Sequence, residues 1–162
     1  MEEFPSAFSQ SFIKFKGQYC SSLQHDKNHI MNKPMRVILI DDHEMVLQGL
    51  TALLSSQPYI KVVKTYSNGN DAINEINSTE IDIVLSDINM PVINGFDTAS
   101  GILKIKPQTK VVLLSMEISK AYIQKAKAEG IKGYVSKRAP IEDLCETLKN
   151  VYLEKQPFEL LC

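Results

Sequence analysis

Five short, nearly unbroken runs of Val, Ile and Leu, each followed by a stretch with helical spacing, leave this chain very few ways to fold. The runs lie at 36–40, 60–65, 81–86, 110–114 and 132–136, and the helical stretches at 43–56, 70–78, 95–105, 118–129 and 140–153. A strand that is apolar throughout, rather than at every second residue, belongs to a sheet covered on both faces. Strict alternation of strand and helix produces right-handed crossovers between parallel strands. The pattern therefore predicts a doubly wound α/β fold, a five-stranded parallel sheet spanning residues 35–153. Boundary residues agree with it. Asn68-Gly69-Asn70 reads as a turn and a cap, Pro107 closes the third helix, Gly130 ends the fourth, and Pro140 sits near the first position of the fifth.

The chemistry gathers where the apolar runs stop. Asp41 and Asp42 follow RVILI, Asp87 follows IDIVLS, Ser115 follows KVVLL and Lys137 follows GYVS. In a parallel sheet those ends share one edge, the edge on which open α/β sheets hold their ligands. Carboxylates brought together repel and raise one another's pKa. A hard cation removes that penalty, and Mg²⁺ favours one or two carboxylates, a carbonyl and several waters. One acidic residue at a strand end is ordinary, whereas three at matching ends point to a metal site. Lys137 adds a compact positive charge and Ser115 a hydroxyl, both suited to phosphoryl oxygens. A carboxylate can itself become the nucleophile once metal and cation neutralise the developing charge.

Composition excludes several classes. The 162 residues are 44% apolar and 23% charged, which is enough for one packed core. A net charge of −1 argues against a protein whose main partner is nucleic acid. No apolar run approaches the roughly 20 residues needed to cross a bilayer. Met-Glu-Glu at the start is not followed by a basic and then hydrophobic segment, so no secretory signal is expected. Cys20, Cys145 and Cys162 form neither a disulfide framework nor a zinc-binding spacing, as expected of reduced thiols in a cytoplasmic protein. Residues 1–34 stand apart. Phe4, Phe8, Phe12, Phe15 and Tyr19 recur at helical spacing after Pro5, giving either a short amphipathic helix or an extension without fixed structure. Residues 154–162 read as a tail too short for an independent output domain.

Taken in order, the acidic pair in LIDDHEMV, the segment LSDINMPVINGFD, the hydroxyl in VVLLSMEIS and the lysine in AEGIKGYVSK resemble a bacterial two-component response-regulator receiver domain. Their separations of 45, 28 and 22 residues also match that family. The resemblance implies a flavodoxin-like (βα)5 fold with strand order 2-1-3-4-5. It implies that Asp87 accepts a phosphoryl group from a sensor histidine kinase or phosphotransfer protein. Asp42 would bind Mg²⁺ directly, Asp41 mainly through a water, and Asn89 through its backbone carbonyl. Lys137 would pair with the phosphoryl oxygens. Ser115 would move toward the phosphate and Tyr134 would follow it inward, altering the face formed by the fourth helix, fifth strand and fifth helix. That face is read as carrying Lys120, Tyr122, Lys125, Tyr134 and the neighbours of Lys137, and its change is expected to drive protein binding or homodimer formation. His43, as in relatives of the LuxR-type regulators, is read as a helix-start residue rather than a ligand.

Two features depart from the family. Arg138 follows the lysine where many receivers have proline, and these 162 residues do not continue into the helix-turn-helix module usual in LuxR-like regulators, which fits either a free-standing receiver or one piece of a longer regulator. Direct DNA binding by this chain is therefore not expected, nor is membrane attachment. Other readings remain. An aspartyl-phosphate phosphatase would need an acid two residues after its nucleophile, where this chain has Asn89. A flavin protein would need a phosphate loop after the first strand and no acidic cluster there. A receiver that is never phosphorylated would act only as an interaction module.

Overall fold

The computed structural model describes residues 33–156 and 158–161. The aromatic stripe of residues 4–19, Cys20 and Cys162 lie outside the described residues. From Lys33 onward the chain is one compact unit. Strands β1 (Met35–Ile40), β2 (Ile60–Tyr66), β3 (Ile83–Asp87), β4 (Lys110–Ser115) and β5 (Gly133–Ser136) alternate with helices α1 (Glu44–Ser55), α2 (Gly69–Glu75), α3 (Gly95–Ile105), α4 (Lys120–Ala128) and α5 (Ile141–Tyr152). A single 3-10 turn, Ile76–Ser78, extends α2.

All strand pairs are parallel. The order is β2-β1-β3-β4-β5-β6, so the expected five-stranded sheet has a sixth member. This strand, β6 (Glu159–Leu161), lies in the segment read from sequence as a tail. The correction has a physical cause. Glu-Leu-Leu contains no β-branched residue and is too short to show a period, so local sequence does not mark it as a strand. It forms because β5 offers an unpaired edge, which pairs Tyr134 with Leu160 and Val135 with Leu161. Phe158 anchors it by packing on the core, with the Lys127 ammonium 5.0 Å above its ring.

The central strands β3 and β5 are buried along their whole length, as their apolar runs require. β2, at the sheet edge, is buried only at its two ends and exposes Lys61, Lys64 and Thr65. Its register against β1 slips at Val63, which is skipped between the pairs Val37–Val62 and Ile38–Lys64.

Local chemistry sets the helix ends. Asn68 and Asn94 cap α2 and α3 by accepting from the backbone N–H of Asp71 and Asp97, at 2.9 and 3.0 Å. At the end of α4, Gly130 takes φ +76°, while Ile131 N–H reaches the Ala126 carbonyl at 3.0 Å and Gly130 N–H the Lys127 carbonyl. This paired arrangement needs a left-handed residue at that point. It turns the chain sharply into Ile131, which is buried, and so into β5. A Cβ at Gly130 would meet nothing, so backbone strain alone would oppose a side chain there. Gly130→Ala is therefore expected to cost about 1 kcal/mol, measured as a lower urea midpoint with an unchanged far-UV spectrum.

Candidate functional site

The parallel register delivers the sequence-predicted residues to one end of the sheet. Asp41 and Asp42 follow β1 directly, Asp87 and Ser115 are the last residues of β3 and β4, and Lys137 follows β5. Asp87 pairs in register with Leu114, and Ser115 with Ser136. Strand ends close together in space therefore gather residues nearly a hundred positions apart in the chain.

Lys137 joins the group. Its ammonium lies 2.5 Å from Asp41 Oδ2 and 3.0 Å from Asp87 Oδ2. Both carboxylates are almost fully buried, and the lysine side chain is 13% exposed. Burial alone would pull the ammonium pKa down, but hydrogen bonds and charge from Asp41 and Asp87 outweigh it and raise the pKa. Lys137 reaches the carboxylates although Arg138 follows it, and its backbone N–H is fixed to the Ser115 carbonyl at 2.8 Å.

Asp42 has a different environment. Its Oδ1 is buried and has no hydrogen-bond partner among the described residues. A buried carboxylate oxygen without a donor is costly unless a cation meets it. Ligating atoms from Asp41, Asp42, His43 and Asp87 all lie within 4.8 Å of one another. The oxygen-rich donor set and the unpartnered oxygen fit a hard divalent cation such as Mg²⁺. Asn89, two residues beyond Asp87, is exposed at the mouth of the loop.

That loop is shaped by backbone constraints. Gly95 opens α3 against the end of β3, and a Cβ there would collide with the Asp87 carbonyl and the Ile88 Cα. Gly95 N–H also binds the Ile88 carbonyl at 2.9 Å. Between them, Val92 sits at φ +71° and is 93% exposed, with Ile93 N–H bonded to the Pro91 carbonyl across it. A β-branched residue in that conformation is strained.

The hydroxyl residues form a second arrangement. Ser115 Oγ accepts from Glu117 N–H at 3.1 Å, and Tyr134 donates its hydroxyl to the Glu117 carbonyl at 2.7 Å. Tyr134 has no exposed surface, and burial pushes its pKa up. It therefore lies inside the fold rather than on the face with Lys120 and Tyr122. Tyr122 meets Phe96 of α3 edge to face, with 5.5 Å between ring centroids, and the Lys125 ammonium sits 4.4 Å above the same Phe96 ring, so both α4 side chains reach toward α3. β6 covers the outer edge of β5.

Sequence reasoning placed His43 at a helix start, and the structure agrees, since it is the N-cap of α1. The direction of its ring was not legible. Nδ1 lies 3.1 Å from both Asp41 Oδ1 and Asp42 Oδ1. Adjacency to the acidic pair was the only available signal.

The sequence profile of the response regulator receiver domain matches residues 37–149. The chain belongs to the response regulator receiver family. This receiver is 32% identical over 126 residues to the response regulator protein VraR of Staphylococcus saprophyticus, covering 78% of this chain and 60% of that one. It thus spans little more than half the length of such relatives. Among solved structures it is similar to a LuxR-family DNA-binding response regulator from Staphylococcus aureus, with 27% identity, a TM-score of 0.68, and coverage of 73% of this chain and 98% of that one. A LuxR-family two-component response regulator from Aurantimonas shares the fold, with 24% identity, a TM-score of 0.72, and coverage of 75% and 87%. No helix among the described residues is long and apolar enough to cross a membrane.

The ion pairs predict a pH dependence. Lys137 has a folded pKa above its ordinary value of 10.5, so its stabilising contribution is complete below that pH and fades as pH rises through the folded value. In metal-free buffer, the stability gap between the wild type and Lys137→Met should stay level from about pH 7 to 10 and narrow only at higher pH. Urea midpoints across that range provide the measurement.

Proposed function

We propose that this receiver is a phosphorylation-dependent switch in which Asp87 takes a phosphoryl group from the phosphohistidine of a sensor histidine kinase or phosphotransfer protein. The observation that carries the reading is the junction of Lys137 with Asp41 and Asp87 beside the unpartnered oxygen of Asp42. An Asp87 carboxylate oxygen forms the new bond to phosphorus as the P–N bond breaks. The departing imidazole nitrogen keeps the electron pair and takes a proton from solvent. Lys137 already stands against Asp87 and offers its charge to the transferred oxygens. Asp42, Asp41, Asp87 and the Asn89 carbonyl are the residues that would hold Mg²⁺, which when bound neutralises the carboxylates and the incoming oxyanions. Burial of Asp41 and Asp87 strengthens each of these charge interactions.

The switch runs through Ser115 and Tyr134. Both hydroxyls are tied to Glu117, one to its N–H and one to its carbonyl, so they share the β4–α4 loop. A phosphoryl oxygen that draws in the Ser115 hydroxyl competes with that contact and shifts the loop and α4 together. The altered surface is the α4–β5–α5 face, now including β6, and its partner is another protein or a second copy of this chain. The LuxR-type relatives support placing this receiver in the regulatory part of a transcription regulator. The phosphatase alternative has little support, because Asn89 supplies no general acid.

Incubating the full chain with Mg²⁺ and acetyl phosphate should add one phosphoryl group by intact mass, and chelating the metal should prevent it. Asp87→Asn should remove the labelling. Equal labelling of wild type and variant would refute Asp87 as acceptor.

A further inference from the structure

β6 is the element that neither the strand–helix pattern nor the phosphorylation reading calls for. We infer that β6, together with Phe158, is an autoinhibitory strap that closes the outer edge of β5 while Asp87 is unmodified and lets go when Asp87 is phosphorylated. The inference rests on the switch proposed above and deepens it by naming the element that the switch sets free.

The strap is weakly held. None of its residues is fully buried, and Leu160 is 46% exposed, whereas the β5 strand it pairs with is buried throughout. Glu159 Oε1 is buried with no hydrogen-bond partner among the described residues. A polar atom left in that state opposes docking. Burial and the charge of Glu146 on α5 raise the Glu159 pKa, against the opposing pull of Lys155. Glu154, on the path from α5 to β6, sits at φ +52°, a conformation that disfavours any residue with a Cβ. A short strand with few buried groups belongs to the segments that open locally well before the whole fold does.

The contacts that do hold the strap come from the elements the switch moves. Gly133, Tyr134 and Val135 of β5 pair with Glu159, Leu160 and Leu161, and Glu159 N–H donates to the Lys132 carbonyl at 2.8 Å. From α4, the Lys127 ammonium lies 5.0 Å above the Phe158 ring. Tyr134 is tied to the Glu117 carbonyl, and Ser115 to the Glu117 N–H. A Ser115 hydroxyl drawn to a phosphoryl oxygen therefore disturbs two holds through one loop. One is the β5 residue paired with Leu160, and the other is the helix that carries Lys127. The costs of docking at Glu159 and Glu154 stay as they were, so the balance tips toward release. Release bares unpaired backbone along β5, a template for another chain. Linkage makes the effect reciprocal: whatever loosens the strap favours the phosphorylated pocket.

Amide exchange followed by NMR on the full chain tests this, with the residue 159 N–H as reporter. Acetyl phosphate in excess with Mg²⁺ should lower its protection factor at least about fivefold, leave the amides of β1 close to their starting values, and have no effect in Asp87→Asn. Phe158→Ala should lower that protection without phosphate and tighten the binding of beryllium trifluoride, a phosphoryl mimic, measured by calorimetry with Mg²⁺ present. Glu159→Val removes the unpartnered carboxylate and should shift both readouts the opposite way, an outcome that general unfolding does not produce. Unchanged protection in a chain whose mass shows one phosphoryl group would overturn the strap and leave Asp87 as acceptor. The same follows if wild type and both variants bind beryllium trifluoride equally. A wild type that takes no phosphoryl group at Asp87 removes both readings.

Discussion

Negative charge crowded at one end of a parallel sheet is the constraint from which the rest of this structure follows. Asp41 and Asp87 are buried, and each would be expensive to keep ionised if it were alone. The Lys137 ammonium touches both and changes that balance. One positive charge against two carboxylates still leaves that trio net negative, and Asp42 adds a further negative charge whose buried oxygen has no hydrogen bond among the described residues. Such a site favours the approach of a cation. The same lysine holds the end of β5 against the end of β1 across the width of the sheet, so the chemistry and the packing share one contact.

The sheet makes this crowding possible. Side chains nearly a hundred residues apart meet because parallel strands finish at one edge, and each strand stops where its apolar run stops. Backbone detail then refines the positions. Gly95 lets α3 begin in contact with the end of β3, and the left-handed turn at Gly130 feeds the chain into β5 so that Lys137 emerges beside the carboxylates. The strain at Val92 lies in the exposed loop that follows Asp87.

Much of this could be read from the sequence, because burial on both faces leaves a strong signature. The apolar runs locate β1 to β5 to within two residues, and the polar residues that end them are the ones that meet. What stayed hidden depends on long-range geometry. β6 borrows its conformation from the free edge of β5, and nothing in Glu-Leu-Leu announces it. The inward position of Tyr134 depends on a hydrogen bond to the Glu117 carbonyl, a loop atom whose place no local pattern specifies. His43 carries the same limit, since a helix-start residue can turn its ring either way. The aromatic stripe of residues 4–19 falls outside the described residues and stands as a sequence expectation.

The irregular pairing of β2 bears on how this molecule behaves when crowded with copies of itself. An open strand edge invites a neighbour's backbone to continue the ladder, the first step toward insoluble assemblies. Here the skipped Val63 breaks the even spacing a newcomer would need, and Lys61 and Lys64 would set like charges against their own counterparts. Two copies would be steered away from joining their sheets along β2.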